Sequence, residues 1–394
     1  MFNSLNGDGE PLRDSDIIFA KLYSEALSKN QKDSFLKIWK DNREKLGNLY
    51  KRKIFIPSNS RINKNLLDKN PDFDPVLDQY MFYLRAKKAV SDGVELDTTT
   101  PGLRNFFSNN VNYPNNVLDF SKKIFDILEV WEKLSNYNTL SVLLKFNQNF
   151  KHFIPSYFLD KMYLIKNDNE ANDNEANDNE INNFLNLFLR LFTLYEIDEK
   201  SYSSGLFKTF LLKRQVQFVN SNINLQEISN EFDKHIKGKW DIETVKKLIY
   251  SCTSDALVFL NDFLFAKEIN YKFVISQPEI EHIMCRCGRN SQTVRDNANI
   301  KSESEFKNYL NMLGNKILLE LEINRGVGNA WFKSKLTGTV SDENNRGYGD
   351  SIYPFARYLV DKYKSVENPQ WTKELIEEYT VKACDRIAKF IFNI

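Results

Sequence analysis

A mainly α-helical chain with a small strand–strand–helix module in its last third is the fold class that this sequence predicts. Two observations carry that expectation. Through most of the first 265 positions, apolar residues recur at three- and four-residue steps, the period of a helix with one buried stripe. After Phe265 the pattern changes. Tyr271 to Ile283 is β-branched and aromatic, and Ile317, Leu318, Leu319 and Leu321 form a second apolar run after Gly314; both read as extended chain.

The elements follow in order. Phe35, Ile38 and Trp39 make a short helical stripe. Val117, Phe120, Ile124, Leu128 and Trp131 make a longer one over Val117 to Leu134, with Lys122, Lys123, Glu129 and Glu132 between them. Positions 167–180 read NDNEANDNEANDNE, a five-residue repeat with no apolar face, and are expected to be a disordered acidic insertion. A calcium loop would need a glycine at its sharp turn, and none is present. Trp240 to Phe265 reads as one long helix or two, with Asp241 as N-cap. Asn329 to Leu336 and Trp371 to Ile394 read as helices. A helical domain is therefore expected over 31–265 and a second domain over 266–394.

With 394 residues, 42% of them hydrophobic and 27% charged, the chain can fill two cores. The net charge of +1 gives no overall field to draw in nucleic acid, so any such contact must come from local basic patches. The opening MFNSLNGDGEPLRDSD has neither a basic nor an apolar leader region, and no run of about 18 apolar residues predicts a membrane span. Cys252, Cys285, Cys287 and Cys384 form no disulfide framework, which points to a reducing, cytoplasmic home. Cys285 and Cys287 stand too close together for a usual zinc pair and read as two free thiols.

Three histidines are present: His152, His235 and His282. The first two have no metal-ligand neighbours and read as packing or surface residues. His282 follows Glu281, and at a strand end or bulge the two side chains can converge on one centre. An HNH nuclease uses such an arrangement: the carboxylate binds a divalent metal, and the neutral imidazole takes a proton from the water that attacks a phosphodiester. Asn315 and Asn324 lie nine positions apart with the second strand between them. An amide oxygen at Asn324, at the entry to a helix, can complete a hard-cation shell of Mg²⁺ or Mn²⁺; Asn315 would hold the loop or orient His282. Taken alone, Glu281-His282 is an ordinary surface pair. Over 282–346 there are ten Lys or Arg against seven Asp or Glu, including Arg286, Arg289, Lys316, Arg325, Lys333 and Lys335. These are the candidate DNA-binding residues, phosphate contact being the commonest use of such a patch.

EHIM, then LGNKILLE, then INRGVGNAWFKSK resembles the HNH domain of the GmrSD-type restriction endonucleases, and the Asn-Lys-Ile-Leu stretch followed by Asn-Arg-Gly also resembles the HNH domain of the large CRISPR nucleases. The likeness runs over about 270–394. It implies a ββα-metal fold and metal-dependent cleavage of DNA, in restriction of foreign or modified DNA, with Glu281 and Asn324 as metal ligands, His282 as base and Asn315 beside it. Phe2 to Leu12 and Ser15 to Ile18 resemble the end of that family's ParB-like N-terminal domain, so 1–30 is expected to be a remnant of it. The rest of that domain would then be supplied as a separately encoded half. The alternative is a truncated, inactive remnant that binds DNA or a partner.

Overall fold

The structure, a computed structural model, describes residues 12–55, 71–108, 116–166, 171–274, 278–287, 291–338 and 346–394. The Phe2 to Leu12 resemblance falls, but for Leu12, outside the described residues. The described chain is mainly helical, and it forms two compact units.

The first unit comprises Met1–Leu140, Gln148–Leu185 and Ser204–Ser229. Its helices are α1 (Asp14–Ser28), α2 (Lys32–Lys51), α3 (Asp74–Asp92), α4 (Leu103–Ser108) and α5 (Val117–Leu134). They are followed by α6 (Asn138–Leu143), α7 (Ile154–Phe158), α8 (Ala171–Ile197), α9 (Ser204–Phe218) and α10 (Leu225–Lys239); α6, α8 and α10 continue past this unit. Asn116 starts α5 by accepting from the Leu118 N–H. The predicted stripe of Phe120, Ile124, Leu128 and Trp131 is completely buried. Two buried polar contacts fix the neighbours of α5: Asn42 on α2 donates to the Ser121 carbonyl at 3.1 Å, and the Trp131 indole donates to Gln79 on α3 at 2.7 Å. Substituting Trp131 by alanine would cost about 3–5 kcal/mol.

The disordered insertion expected over 167–180 is corrected from Ala171 onward, where α8 begins; 167–170 lie outside the described residues. The repeat runs into an apolar segment whose Phe184, Leu185, Phe188, Leu189 and Phe192 are all buried. Once those turns are fixed by packing, extending the helix backward adds a bond per residue without a new nucleus. Two acids of the repeat also find partners: Asp178 accepts from Tyr137 and Glu180 from Tyr157.

The second unit comprises Ser141–Asn147, Asn186–Ser203 and Asn230–Ile394. Trp240 to Phe265 resolves into two helices, α11 (Ile242–Ser251) and α12 (Ala256–Glu268), and Asp241 caps α11 by accepting from Thr244 at 2.9 Å. Strand β1 (Glu279–His282) is followed by α13 (Ser291–Asn297), α14 (Glu303–Asn311) and strand β2 (Lys316–Leu319). The strands pair antiparallel, with Glu281 opposite Ile317 and His282 opposite Lys316. β2 is buried throughout, as an apolar run packed on both faces should be. Then come α15 (Leu321–Val327), α16 (Phe332–Thr337), α17 (Pro354–Tyr363) and α18 (Lys373–Phe392).

Two expectations are corrected here. Asn324 sits inside α15 and not at the entry to a helix, because the chain turns helical directly after β2. The helix expected from Asn329 begins at Phe332, after Gly328 at φ +42° ends α15. The core beneath the sheet contains Ile317, Leu319, Phe332, Trp371 and Tyr379. The α18 backbone packs so closely on Gly314 that a Cβ there would lie 2.2 Å from the Ile376 carbonyl oxygen and 2.6 Å from the Thr380 nitrogen.

Candidate active site on the two-stranded sheet

Glu281 lies in the interior of the second unit, only 6% exposed. Its carboxylate accepts from the Lys335 ammonium of α16 and from the Tyr348 hydroxyl at 3.1 Å. Lys335 also donates to the His282 carbonyl at 2.8 Å, so one ammonium ties both residues of the pair to α16. Burial pushes the Glu281 carboxyl up, against the opposing pull of Lys335 and Tyr348. Gly347 lets this corner close: a Cβ there would stand 2.4 Å from the Gly338 nitrogen.

His282 is half-buried at the end of β1. Burial, then the positive charges of Lys316, Arg286 and Lys335, pull its imidazole down to about 4. The ring is therefore neutral near pH 7, the state in which it can accept a proton. Strand alternation turns it to the face opposite Glu281, and among the described residues no hydrogen bond joins the side chains of Glu281, His282 and Asn324.

Asn315 is fully buried and holds the chain that leaves β1. Its carbonyl accepts from Ile283 at 3.0 Å, its amide oxygen accepts from Met284 at 2.8 Å, and its amide nitrogen donates to Leu310 at 3.1 Å. Of the two roles expected for it, this is the loop-holding one. Asn324 donates to the Glu279 carboxylate at 2.8 Å. Glu279 was not singled out by sequence reading, although the Glu-Ile-Glu alternation already places it on the face of β1 that carries Glu281.

Among the described residues, no group of three or more His, Cys, Asp or Glu gathers that could hold a metal ion. The donors at hand are the Glu279 and Glu281 carboxylates and the Asn324 amide oxygen. This all-oxygen set fits a hard divalent cation in kind.

The proposed DNA contacts divide. Lys335 is 0% exposed and paired with Glu281, so it is corrected from a phosphate contact to part of the interior. Lys316 is corrected for the same reason: it is 5% exposed, and its ammonium meets Asp255 at 3.0 Å and the Thr253 carbonyl at 3.3 Å. Lys333 is exposed and donates to the Glu367 carbonyl at 2.6 Å. Arg286 and Arg325 are exposed. Arg289 lies outside the described residues. Cys285 is buried and Cys287 exposed, both as free thiols.

Among the described residues no helix is long and apolar enough to cross a membrane. No curated protein and no solved structure matches the chain. Residues 241–382, which include Glu281, His282, Asn315 and Asn324, match the family model of GmrSD restriction endonucleases, C-terminal domain.

Proposed function

We propose that the chain is a metal-dependent DNA endonuclease of the HNH type, acting in restriction of foreign or modified DNA. The observation that carries this reading is the placement of Glu281-His282 on β1, Asn315 before β2 and Asn324 just after it, within the segment that matches the restriction-endonuclease domain. Glu281 and Asn324 would hold Mg²⁺ or Mn²⁺, with Glu279 beside them as a further oxygen donor. A divalent cation so held supplies charge stabilisation to the leaving oxygen of the phosphodiester. His282, neutral and half-buried at the last position of β1, would take the proton of the attacking water from the strand end, its ring being turned from the face that carries Glu281. Asn315 fixes the backbone behind it. Arg286 and Arg325, both exposed, would meet phosphate, with the exposed Lys333 as a further candidate. A separately encoded ParB-like half remains part of this proposal as a partner.

A second reading, a DNA- or partner-binding chain that does not cut, is favoured by one observation: the Lys335 ammonium already neutralises the Glu281 carboxylate. Supercoiled plasmid incubated with the purified chain separates the two. Nicking or linearisation with Mg²⁺ or Mn²⁺ that EDTA stops supports the nuclease. Retarded migration of intact plasmid, with no cleavage under either metal, supports the second reading.

A further inference from the structure

The Glu281 carboxylate already has a full counter-charge. Its Oε1 atom accepts from the Lys335 ammonium and, at 3.1 Å, from the Tyr348 hydroxyl. The same ammonium donates to the His282 carbonyl at 2.8 Å. Both side chains of the ion pair are buried, so water and salt screen it little. Glu279, two residues back on the same strand face, differs. It is exposed, its carboxylate accepts from the neutral Asn324 amide at 2.8 Å, and among the described residues it meets no Lys or Arg.

Glu279 and Glu281 bring two negative charges to this face and Lys335 one positive. A divalent cation held by both carboxylates would leave one positive charge in excess beside a buried ammonium. Like charges repel strongly where water is excluded. With the ammonium gone, the two carboxylates and the cation balance. We propose that, given Glu281 as a metal ligand in the nuclease reading, Lys335 competes with the divalent cation for that carboxylate, holding it in the metal-free protein and keeping the affinity for metal low. The competition is one of charge, whichever carboxylate oxygen the cation takes. Lys335 is a positioning residue with a means of release. It stands in the last turn of α16, a helix of six residues, on a flexible four-carbon stem. Rotation about that stem frees the carboxylate without disturbing the pairing of β1 with β2. A purely structural ion pair behaves otherwise: its loss weakens the fold and leaves the metal affinity no higher.

The test counts Mn²⁺ bound to the full chain by electron paramagnetic resonance, without DNA, so that it does not depend on cleavage. Lys335→Met removes the charge at similar length. It should bind Mn²⁺ at least about tenfold more tightly than wild type, since a unit charge at this depth is worth no less. Mn²⁺ should also raise the melting temperature of this variant more than that of wild type. Glu281→Gln, made in wild type and in the Lys335→Met protein, should weaken binding in both. An affinity in Lys335→Met equal to or below wild type would overturn the proposal; if Glu281→Gln still weakens binding, Glu281 remains a metal ligand without a competitor. Should Glu281→Gln leave Mn²⁺ binding untouched, the assignment of Glu281 as a ligand fails and the competition with it. Lys335→Gln keeps an amide donor for Glu281 and carries the same expectation where the methionine variant does not fold. If neither variant folds even with Mn²⁺ present, Lys335 is a structural ion alone and the proposal fails.

Discussion

Lys335 donates its ammonium to the Glu281 carboxylate inside the second unit, where the two side chains are 0% and 7% exposed. Neither charge has water to fall back on, so removing one strands the other. Lys335→Met should cost about 3–5 kcal/mol, as loss of one member of a buried pair does. Lys333→Met, two residues away and exposed, should stay near wild type. Urea unfolding of both proteins checks this, and matching midpoints would show that the pair does not hold the module together.

Asn315 should act on the site through the backbone. Asn315→Ala removes the acceptor of the Met284 N–H and leaves a buried donor unpaired, at about 1–3 kcal/mol. Asn315→Asp keeps an acceptor for Met284 but loses the donation to Leu310. Stability and cleavage should therefore fall in both variants, in Asp because a buried carboxylate oxygen then faces the Leu310 carbonyl. An alanine variant as active as wild type would remove Asn315 from the positioning role.

The two strands, the N-cap at Asp241 and the apolar stripe of α5 were all legible in the sequence, because period and capping chemistry are local. Lys335 was not. Its exposed-looking neighbours Lys333 and Ser334 gave no sign that a turn of α16 carries it inward to Glu281, a contact 54 residues away along the chain. Lys316 misled for the same reason: its partner, Asp255, lies 61 residues upstream. The acidic repeat misled in the other direction. Composition argued for solvation, whereas the apolar half of α8 that follows it decides the local fold. Glu279 could have been found by counting two back from Glu281 along a strand.

Two glycines should respond oppositely to a methyl group. In Gly314→Ala the new Cβ meets backbone atoms of α18, and the cost should reach at least about 1–3 kcal/mol. Gly238 lies inside α10 with nothing within 4 Å of a Cβ, so Gly238→Ala should stabilise by about 0.4–1 kcal/mol. Thermal unfolding of both variants gives the signs. A neutral Gly314→Ala would mean that α18 does not close on the turn before β2.

Asp262 on α12 is 2% exposed, and burial is the main cause that pushes its carboxyl up to about 8. The unfolded chain would titrate it near ~3.9. The folded state thus holds a proton that the unfolded state has released between those values, and this group's contribution to stability is lost as pH rises from about 4 to 8. Asp262→Asn removes that loss. Its stability relative to wild type should climb through this window and level off above it, in denaturant titrations at stepped pH. A pH-independent difference would show that Asp262 is ionised in the fold.

The central claim rests on His282 as the base. The direct measurement is the rate of plasmid cleavage by wild type and His282→Ala, in the same metal buffer, with circular dichroism to establish that both are folded. The account predicts a loss of ~10²- to 10⁴-fold on substitution, the usual worth of a positioned general base. Equal rates from two folded proteins would contradict it.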